Sequence, residues 1–309
     1  MEIENNLLSD IKRKYLKTLL SYYDSNEAEQ MLTILIEHFF GISRIQLIMN
    51  PNFRISESEI LKLHLAVKDL KDYKPVQYII GEIEFHNLKL KVNTDVLIPR
   101  PETEELVQLI SNIEKAVDLR VLDIGTGSGC IAITMAKLLV SPIVHACDIS
   151  QPALNLAQKN ATINNLKVDF HNHDILDNNK PICDKNGNSI IFDIIISNPP
   201  YVTESDKSRM QSNVIDYEPH GALFVSNSNP LVYYSAIIQF AKKQLKPGGR
   251  IYFEINESLG NKMITLLGNN SFTNIKLIKD LSNKDRFIST QLPLIPHQQI
   301  SNQRRLVDD

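Results

Sequence analysis

From residue 120 onward the sequence alternates short apolar runs with helical patterns, and this alternation constrains the fold more than any other feature. The runs that predict strands cover residues 120–124, 143–148, 168–171, 190–197 and 250–254. Because strands that alternate with helices pair in parallel, the pattern predicts a mostly parallel α/β sheet that is covered on both faces. Two further runs, 275–279 and 286–290, have only a short loop between them, which predicts an antiparallel closing pair.

The chain before about residue 75 predicts helices. Asp24 with Glu27 is a capping box that predicts the start of a helix, and Gly41 is placed to end that helix. Ser56 with Glu59 is a second capping box, which precedes another apolar helical stripe. This part of the sequence therefore predicts a small helical domain.

Two β-rich runs follow the helical segment. They cover residues 78–85 and 88–92, and His86 and Asn87 lie between them. Since a short polar break between two such runs is typical of a turn, the pattern predicts a β-hairpin. At the other end of the chain, the residues after about 292 are polar, contain two prolines and predict a loose tail.

Glycines follow the first strand of the α/β pattern. Residues 121–130 read Val-Leu-Asp-Ile-Gly-Thr-Gly-Ser-Gly-Cys, which places Gly125, Gly127 and Gly129 at a strand-to-helix turn. Glycine lets a ligand approach the backbone closely, and the helix N-terminus behind it favours a negative group. The spacing is neither the dinucleotide fingerprint nor a P-loop, because Cys130 stands where a glycine or alanine is required and no Gly-Lys-Ser/Thr follows.

A carboxylate ends the next strand. Asp148 stands 19 positions after Gly129. At this place in nucleotide-binding α/β folds a carboxylate accepts hydrogen bonds from two ribose hydroxyls and disfavours a 2′-phosphate. Together with the glycine loop, Asp148 predicts an adenosine-type ligand, whereas the alternative is a tight turn followed by an N-cap aspartate.

The tetrad Asn198-Pro199-Pro200-Tyr201 directly follows a strongly buried strand pattern. Ligands of open α/β sheets lie at the carboxyl ends of the strands, so the tetrad is expected near the glycine loop. The two prolines lack N–H donors, and Asn198 and a backbone carbonyl can then accept both hydrogens of an NH₂ group. Tyr201 offers an aromatic face for a planar substrate. The alternative is a structural Pro-Pro loop.

The glycine loop, Asp148 and the tetrad together predict methyl transfer from S-adenosylmethionine to a planar nitrogen. An amide nitrogen is a poor nucleophile, and holding both of its N–H groups orients its lone pair towards the methyl carbon. The sulfonium is already an activated donor, so the reaction requires neither a metal nor a strong general base. The run from His171 to Asp174 has metal-binding residue types, but we expect Asp174 to accept from the adenine amino group and Ile175 to pack against the ring.

Several longer motifs accompany the tetrad. They are Pro-Val-Gln-Tyr-Ile-Ile-Gly at 75–81, Leu-Ile-Pro-Arg-Pro-Glu-Thr-Glu at 97–104, Asp-Ile-Gly-Thr-Gly-Ser-Gly at 123–129, Asp-Ile-Ser at 148–150, and Tyr-Glu-Pro at 217–219 ahead of Ala-Leu at 222–223. With these motifs the sequence resembles the HemK/PrmC family of release factor glutamine methyltransferases over roughly residues 5–290. The tetrad alone is shared with amino-methylating DNA and RNA enzymes.

The resemblance implies a Rossmann-like class I S-adenosylmethionine-dependent methyltransferase with a seven-stranded sheet. The segments that it implies are a helical substrate-recognition domain at 1–74, a β-hairpin linker at 75–98, a methyltransferase domain at 99–291 and a polar tail at 292–309. The implied substrate is the side-chain amide nitrogen of the glutamine in the Gly-Gly-Gln motif of class-1 peptide chain release factors. The helical domain would engage the release factor.

The resemblance also implies which residues bind the two substrates. It assigns Gly125, Thr126, Gly127, Ser128 and Gly129 to the methionine part of the donor, Asp148 to the ribose, Asp174 and Ile175 to the adenine, and Asn198, Pro199, Pro200 and Tyr201 to the glutamine. Asn198 is expected to contact the donor as well. Two positions depart from the family pattern, since Ile175 stands where some members carry an aromatic and Asn283 where a glycine is usual.

Charge and composition bear on the alternatives. With 33 Lys and Arg against 36 Asp and Glu, the net charge is −3, which argues against stable nucleic-acid binding and so against an adenine-amino methyltransferase acting on DNA or RNA. A second alternative is a non-catalytic protein that binds the donor or a release factor. The complete tetrad argues against it, because binding alone does not need those residues.

No apolar run approaches the roughly 20 residues that cross a membrane. The three cysteines are widely spaced and odd in number, as in a reducing compartment, and we expect a cytoplasmic enzyme.

Overall fold

The structure is a computed structural model that describes residues 6–177, 180–210 and 212–294. Most of the predicted polar tail, residues 295–309, lies outside the described residues. By its internal contacts the chain divides into two compact units. One contains residues 6–82 and 212–217, and the other contains the remaining described residues. In the described part of the chain, no helix has both the length and the apolar character needed to span a bilayer.

Helices make up the first unit. They are α1 (Leu8–Leu19), α2 (Ser25–Phe40), α3 (Arg44–Met49), α4 (Glu57–Lys71) and α5 (Val76–Ile80). At the start of α2 the Asp24 carboxylate accepts from the N–H groups of Asn26 and Glu27 at 2.8 and 2.9 Å, and Gly41 ends the helix with a φ of 66°. Ser56 and Glu59 cap α4 reciprocally. Both helix starts that the sequence predicted are therefore confirmed.

Helix α5 corrects the predicted first strand of the hairpin. Residues 76–80 are helical, so the strand expected from Tyr78 was wrong over its first half. The helix ends because Gly81 adopts a left-handed φ of 73° and donates its N–H to the Gln77 carbonyl at 2.8 Å. Helix α3 was not predicted at all, although Ser43 and Gln46 form a complete capping box ahead of it.

The hairpin itself is confirmed. Strands β1 (Glu82–Phe85) and β2 (Leu88–Lys91) form a two-stranded sheet. His86 and Asn87 connect them with φ values of 47° and 57°. Two successive residues with positive φ are typical of a type I′ turn, whose twist matches that of the strands.

The rest of the chain alternates strands and helices where the sequence predicted them, and the short elements between residues 202 and 225 were not predicted. Its elements, in order, are α6 (Pro101–Ile113), β3 (Arg120–Ile124), α7 (Cys130–Leu138), β4 (Ile143–Asp148), α8 (Gln151–Ile163), β5 (Asp169–Asn172), β6 (Phe192–Ser197), β7 (Val202–Thr203), α9 (Ser212–Tyr217), α10 (His220–Leu223), β8 (Phe224–Val225), α11 (Val232–Gln244), β9 (Leu245–Glu254), α12 (Gly260–Asn269), β10 (Thr273–Lys279) and β11 (Asp285–Gln291), with 3-10 helices at Glu204–Arg209 and Glu257–Leu259. Helix α9 groups with the first unit.

The second unit is built on a seven-stranded sheet in the order β10-β11-β9-β6-β3-β4-β5. Strands β9, β6, β3, β4 and β5 pair in parallel, and β11 pairs antiparallel with β9 and with β10. The mostly parallel sheet and its antiparallel closing pair are thus confirmed. Strand β9 begins earlier than predicted, at Leu245, because a bulge accommodates the expected Pro-Gly-Gly turn within the strand.

Apolar clusters cover both faces of the sheet. Leu122 and Ile195 belong to one cluster, which also contains Ile237 of α11, whereas Val121 and Ile194 belong to the cluster on the opposite face. Neighbouring residues of one strand fall in different clusters because side chains alternate between the faces of a sheet. Strands buried on both sides explain why the sequence shows continuous apolar runs here.

Strand order also places the site. The chain runs outward from β3 through β4 to β5 and then returns to form β6 on the other side of β3. A reversal of this kind leaves a crevice at the carboxyl ends of the two central strands. Ser197, at the end of β6, donates its hydroxyl to the carbonyl of Ile124, at the end of β3, at 2.7 Å. The two strand ends that carry the glycine loop and the tetrad are therefore tied together.

Candidate active site

The glycine loop is fixed by hydrogen bonds from its backbone. The N–H groups of Gly125 and Thr126 both donate to the carbonyl of Cys147, at 2.9 and 3.0 Å. Gly125 and Gly127 have φ values of 74° and 54°, and a Cβ added at either would meet no described atom within 4 Å. The backbone of the loop therefore borders unfilled space at these two glycines, and a side chain at either position would extend into that space.

Asp148 joins this loop to the end of β4. Its Oδ2 accepts from the N–H of Gly127 at 2.9 Å, and its Oδ1 accepts from the N–H of Ser150 at 2.9 Å. Burial raises the pKa of Asp148, while these backbone hydrogen bonds favour the charged form. The carboxylate is thus held in one orientation next to the loop, and it keeps lone pairs for a ligand hydroxyl.

The tetrad continues from β6. Nδ2 of Asn198 donates to Oγ1 of Thr103 at 3.3 Å, and the Tyr201 hydroxyl donates to Oε1 of Glu254 at 3.4 Å. Burial raises the pKa of Tyr201 above its usual range, so its hydroxyl remains protonated at neutral pH. Both ends of the tetrad are thereby attached to other elements of the same unit.

A cavity of about 400 Å³ lies at these strand ends. The predicted site residues in its wall are Gly125, Gly127, Asp148, Asp174, Ile175, Asn198, Pro199 and Pro200. This volume falls within the range of about 300–1,000 Å³ that is usual for small-molecule sites. The structure therefore brings residues from the four strand ends of β3, β4, β5 and β6 into one site, as the strand-end rule predicted.

Other predicted residues lie behind the cavity wall rather than in it. Among the described residues these are Thr126, Ser128, Gly129 and Tyr201. The Thr126 hydroxyl donates to Asp123 at 2.6 Å, and the Ser128 carbonyl accepts from Asn160 at 2.9 Å. Tyr201 packs against the apolar cluster on the β6 and α11 side of the sheet and points its hydroxyl at Glu254. Their contacts support the loop and the tetrad.

Asp123 is a residue that sequence reasoning did not single out. It is fully buried under the glycine loop, where its Oδ2 accepts from Thr126 and its Oδ1 has no hydrogen-bond partner among the described residues. Burial raises the pKa of Asp123 to about 7, so this carboxyl keeps its proton well above the pH at which an exposed aspartate loses it. The available signal was a carboxylate inside an otherwise apolar strand, directly before the glycines.

Two segments that only the resemblance had marked also reach the cavity. Its wall includes Asp95, Val96 and Leu97 from one segment, and Pro219, Gly221 and Ala222 from the other. Arg100 and Glu218 join them through an ion pair of 2.6 Å, and Glu218 also accepts from the N–H of Ile98 at 3.3 Å. Since 118 positions separate the paired residues, only folding brings them together.

The histidine-rich run is divided between two environments. His171 faces His145, with 3.0 Å between the ring nitrogens, while His173 and Asp174 lie in the cavity wall. Burial lowers the pKa of both His171 and His173, which favours neutral rings. In the described chain, no group of three or more His, Cys, Asp or Glu side chains is arranged to hold a metal ion.

Comparison with known proteins identifies the family. The profile of the PrmC N-terminal domain matches residues 13–81, and that of the Methyltransferase small domain matches residues 106–221. A Flavobacterium psychrophilum protein named release factor glutamine methyltransferase is 41% identical over 286 residues, which are 91% of this chain and 98% of that protein. A protein of the same name from Bacteroides thetaiotaomicron is 38% identical over 273 residues, 88% of this chain and 96% of that protein. The chain belongs to the release factor glutamine methyltransferase family.

The two matched domains correspond to the two structural units of the protein. The small-domain match contains the glycine loop, Asp148 and the tetrad, and the N-terminal match lies within the helical unit up to Gly81. The fold is also similar to the hMettl16 catalytic domain in complex with the MAT2A 3′UTR hairpin 6, with a TM-score of 0.50, 15% identity, and coverage of 78% of this chain and 84% of that chain. At this identity the similarity shows the fold alone, a Rossmann-like class I methyltransferase.

Proposed function

We propose that this protein transfers a methyl group from S-adenosylmethionine to the side-chain amide nitrogen of the glutamine in the Gly-Gly-Gln motif of class-1 peptide chain release factors. One observation carries the proposal. The carboxyl ends of β3, β4 and β6 bring the backbone of Gly125, the carboxylate of Asp148 and the amide of Asn198 into one cavity. The names of the relatives supply the glutamine of a release factor as the acceptor.

The donor fits the side of the cavity formed by β3 and β4. Gly125 and Gly127 would hold the methionine part, with Thr126, Ser128 and Gly129 supporting the loop from behind. Asp148 would accept from the ribose hydroxyls, because its carboxylate is fixed by two N–H groups and retains free lone pairs. Asp174 and Ile175 in the wall would face the adenine.

The acceptor fits the side formed by the tetrad. The Asn198 side-chain carbonyl and a backbone carbonyl would accept both amide hydrogens, and the two prolines offer no competing N–H donor. Holding the planar NH₂ group in this way orients the nitrogen and offsets the positive charge that develops on it. When bound, S-adenosylmethionine supplies an electrophilic methyl group. The nitrogen bonds that carbon, the sulfur keeps the electron pair, and one proton leaves the nitrogen for water, so the reaction requires no metal.

The helical unit is proposed to recognise the release factor. We assign this role to residues 1–74, with 75–98 as a hairpin linker and 99–291 as the methyltransferase domain. The match of residues 13–81 to the PrmC N-terminal domain supports this division. Since release factors act at the ribosome, the proposed place of action is the cytoplasm.

The test uses radiolabelled S-adenosylmethionine with a release factor, the same factor carrying Gln→Ala in its Gly-Gly-Gln loop, and a pool of DNA and RNA. We expect label on the intact factor only, mapped by mass spectrometry to one methyl group on that glutamine. Label on nucleic acid, or donor binding with no label on the factor, would contradict the proposal. Asn198→Ala is expected to abolish most methyl transfer and to retain most donor binding, and unchanged turnover would exclude the assigned role of Asn198.

A further inference from the structure

A chain of hydrogen bonds lies behind Asn198, outside the cavity wall. Nδ2 of Asn198 donates to Oγ1 of Thr103 at 3.3 Å, and that hydroxyl donates to Oε2 of Glu254 at 2.7 Å. Thr103 is 2% exposed and Glu254 is 1% exposed, so water does not compete for these bonds. The other carboxylate oxygen of Glu254 receives the Tyr201 hydroxyl at 3.4 Å. One buried carboxyl is therefore linked to both ends of the tetrad, to Tyr201 directly and to Asn198 through Thr103.

The proton count of this chain determines which way the Asn198 amide faces. An ionised carboxylate only accepts hydrogen bonds, whereas a threonine hydroxyl has a single proton and two lone pairs. Because that proton goes to Glu254, Oγ1 of Thr103 can only accept from Asn198. The amide must present Nδ2 to Thr103 and turn Oδ1 away from it, since the reverse orientation would leave two oxygens in contact without a proton between them.

Burial and charge act in opposite directions on Glu254. Burial raises its pKa to about 7, while the hydrogen bond from Thr103 and the positive charge of Arg286 favour the ionised form. Above pH 7 the carboxylate is therefore the major form, and Thr103 has an acceptor for its proton. This sets the condition for measuring the contribution of the chain, which is a buffer of about pH 8.

We infer that Thr103 and Glu254 are positioning residues for methyl transfer, which act by holding the Asn198 carbonyl oxygen ready to accept from the substrate amide. The inference rests on the proposed function, since it takes Asn198 as the group that holds the glutamine. In sequence, Thr103 looks like an ordinary first-turn residue of α6, and Glu254 stands 151 positions away at the end of β9. Neither residue lines the cavity, so their effect is expected on turnover rather than on donor binding.

The experiment compares three substitutions at about pH 8 in the full-length protein. Thr103→Val keeps the shape of the side chain but removes the hydroxyl, so that Asn198 can rotate, and kcat is expected to fall about tenfold to a hundredfold. The Kd for S-adenosylmethionine should stay within about twofold, because Thr103 does not line the cavity. Thr103→Ser restores the hydroxyl and should recover most of the lost turnover. Thr290→Val is the matched control, since Thr290 is also 2% exposed and donates its hydroxyl to one carbonyl.

A double-substitution cycle separates positioning from general damage. If Thr103 acts through Asn198, then Thr103→Val should have little further effect on the residual turnover of Asn198→Ala, well below its effect in the wild type. A purely structural role would give the same loss in both backgrounds. The inference is overturned by additive losses, by a Thr103→Val kcat within about twofold of the wild type, or by a loss that Thr290→Val shares.

Two provisions keep the result interpretable. Should Thr103→Val not fold, Glu254→Asp decides the question, because it keeps the charge but withdraws the carboxylate from Thr103. A tenfold or greater loss of kcat with donor affinity retained supports the inference, and a kcat within about twofold of the wild type overturns it. The wild type is assayed in parallel. No methylation by the wild type would refute the proposed function, whereas an active wild type with an equally active variant refutes only this inference.

Discussion

Replacing Gly129 by alanine would measure how tightly the glycine loop packs against the helix that follows Asp148. An added Cβ at Gly129 would lie 2.9 Å from Cδ1 of Ile133 and 3.1 Å from Cβ of Ala157. Gly127 provides a matched control in the same loop, because a Cβ there would meet no described atom within 4 Å. Both glycines have positive φ, 84° and 54°, so the two substitutions share backbone strain and differ in steric overlap.

The geometry sets the expected magnitudes. Holding an alanine in the left-handed region costs about 1–2 kcal/mol at either position. Overpacking in a well-packed region adds about 1–3 kcal/mol, and this applies only to Gly129. The Cδ1 of Ile133 can rotate away, but the Cβ of Ala157 at 3.1 Å is fixed to its backbone, so relief of the overlap requires movement of α8 itself. We therefore expect the free energy of unfolding to fall by about 2–5 kcal/mol for Gly129→Ala and by about 1–2 kcal/mol for Gly127→Ala.

Urea denaturation followed by circular dichroism gives the two midpoints, and calorimetry gives the affinity for S-adenosylmethionine. Gly127 lies in the cavity wall, so Gly127→Ala should weaken donor binding despite its smaller effect on stability. Gly129→Ala should show the larger loss of stability. Equal midpoints for the two variants would refute the steric argument, because backbone strain alone would then account for both.

Three further predictions concern carboxyl groups of the site. Asp148→Asn should weaken the binding of S-adenosylmethionine by about 1.5–3 kcal/mol, the value of hydrogen bonds to a charged group, and calorimetry that shows unchanged affinity would exclude the ribose role. From about pH 4 to 7 the folded state keeps a proton on Asp123, whereas the unfolded state loses it. As the pH rises through this range, the unfolding free energy of the wild type should therefore fall relative to that of Asp123→Asn, by at most about 4 kcal/mol. A difference that does not change with pH in urea titrations would contradict this expectation. Glu218→Gln should lower the unfolding free energy by about 1–3 kcal/mol, because Arg100 loses the charge of its partner; an unchanged urea midpoint would show that the ion pair does not stabilise the fold.

Patterns within short stretches of sequence were enough to predict the buried strands and the capped helices. Strands β3, β4 and β6 are apolar runs bounded by polar residues, and a strand buried on both faces needs such a run wherever it lies in the sheet. Helix α4 starts where its capping box lies, since a cap involves residues only three positions apart. Prediction failed at the strand expected from Tyr78, because a five-residue helix has too few residues to show a helical period.

The sequence alone determined the kinds of residue at the site, their positions at strand ends, and thereby the family. The glycine loop, Asp148 and the tetrad each follow an apolar strand, and in a parallel sheet all such ends lie on one side. Only the tertiary structure decided which of these side chains reach the cavity and which distant residues hold them. Glu254 meets Thr103 because strand order and register set β9 beside β6 and bring α6 against it. No local pattern encodes a contact across 151 positions, since it depends on how separately formed elements pack.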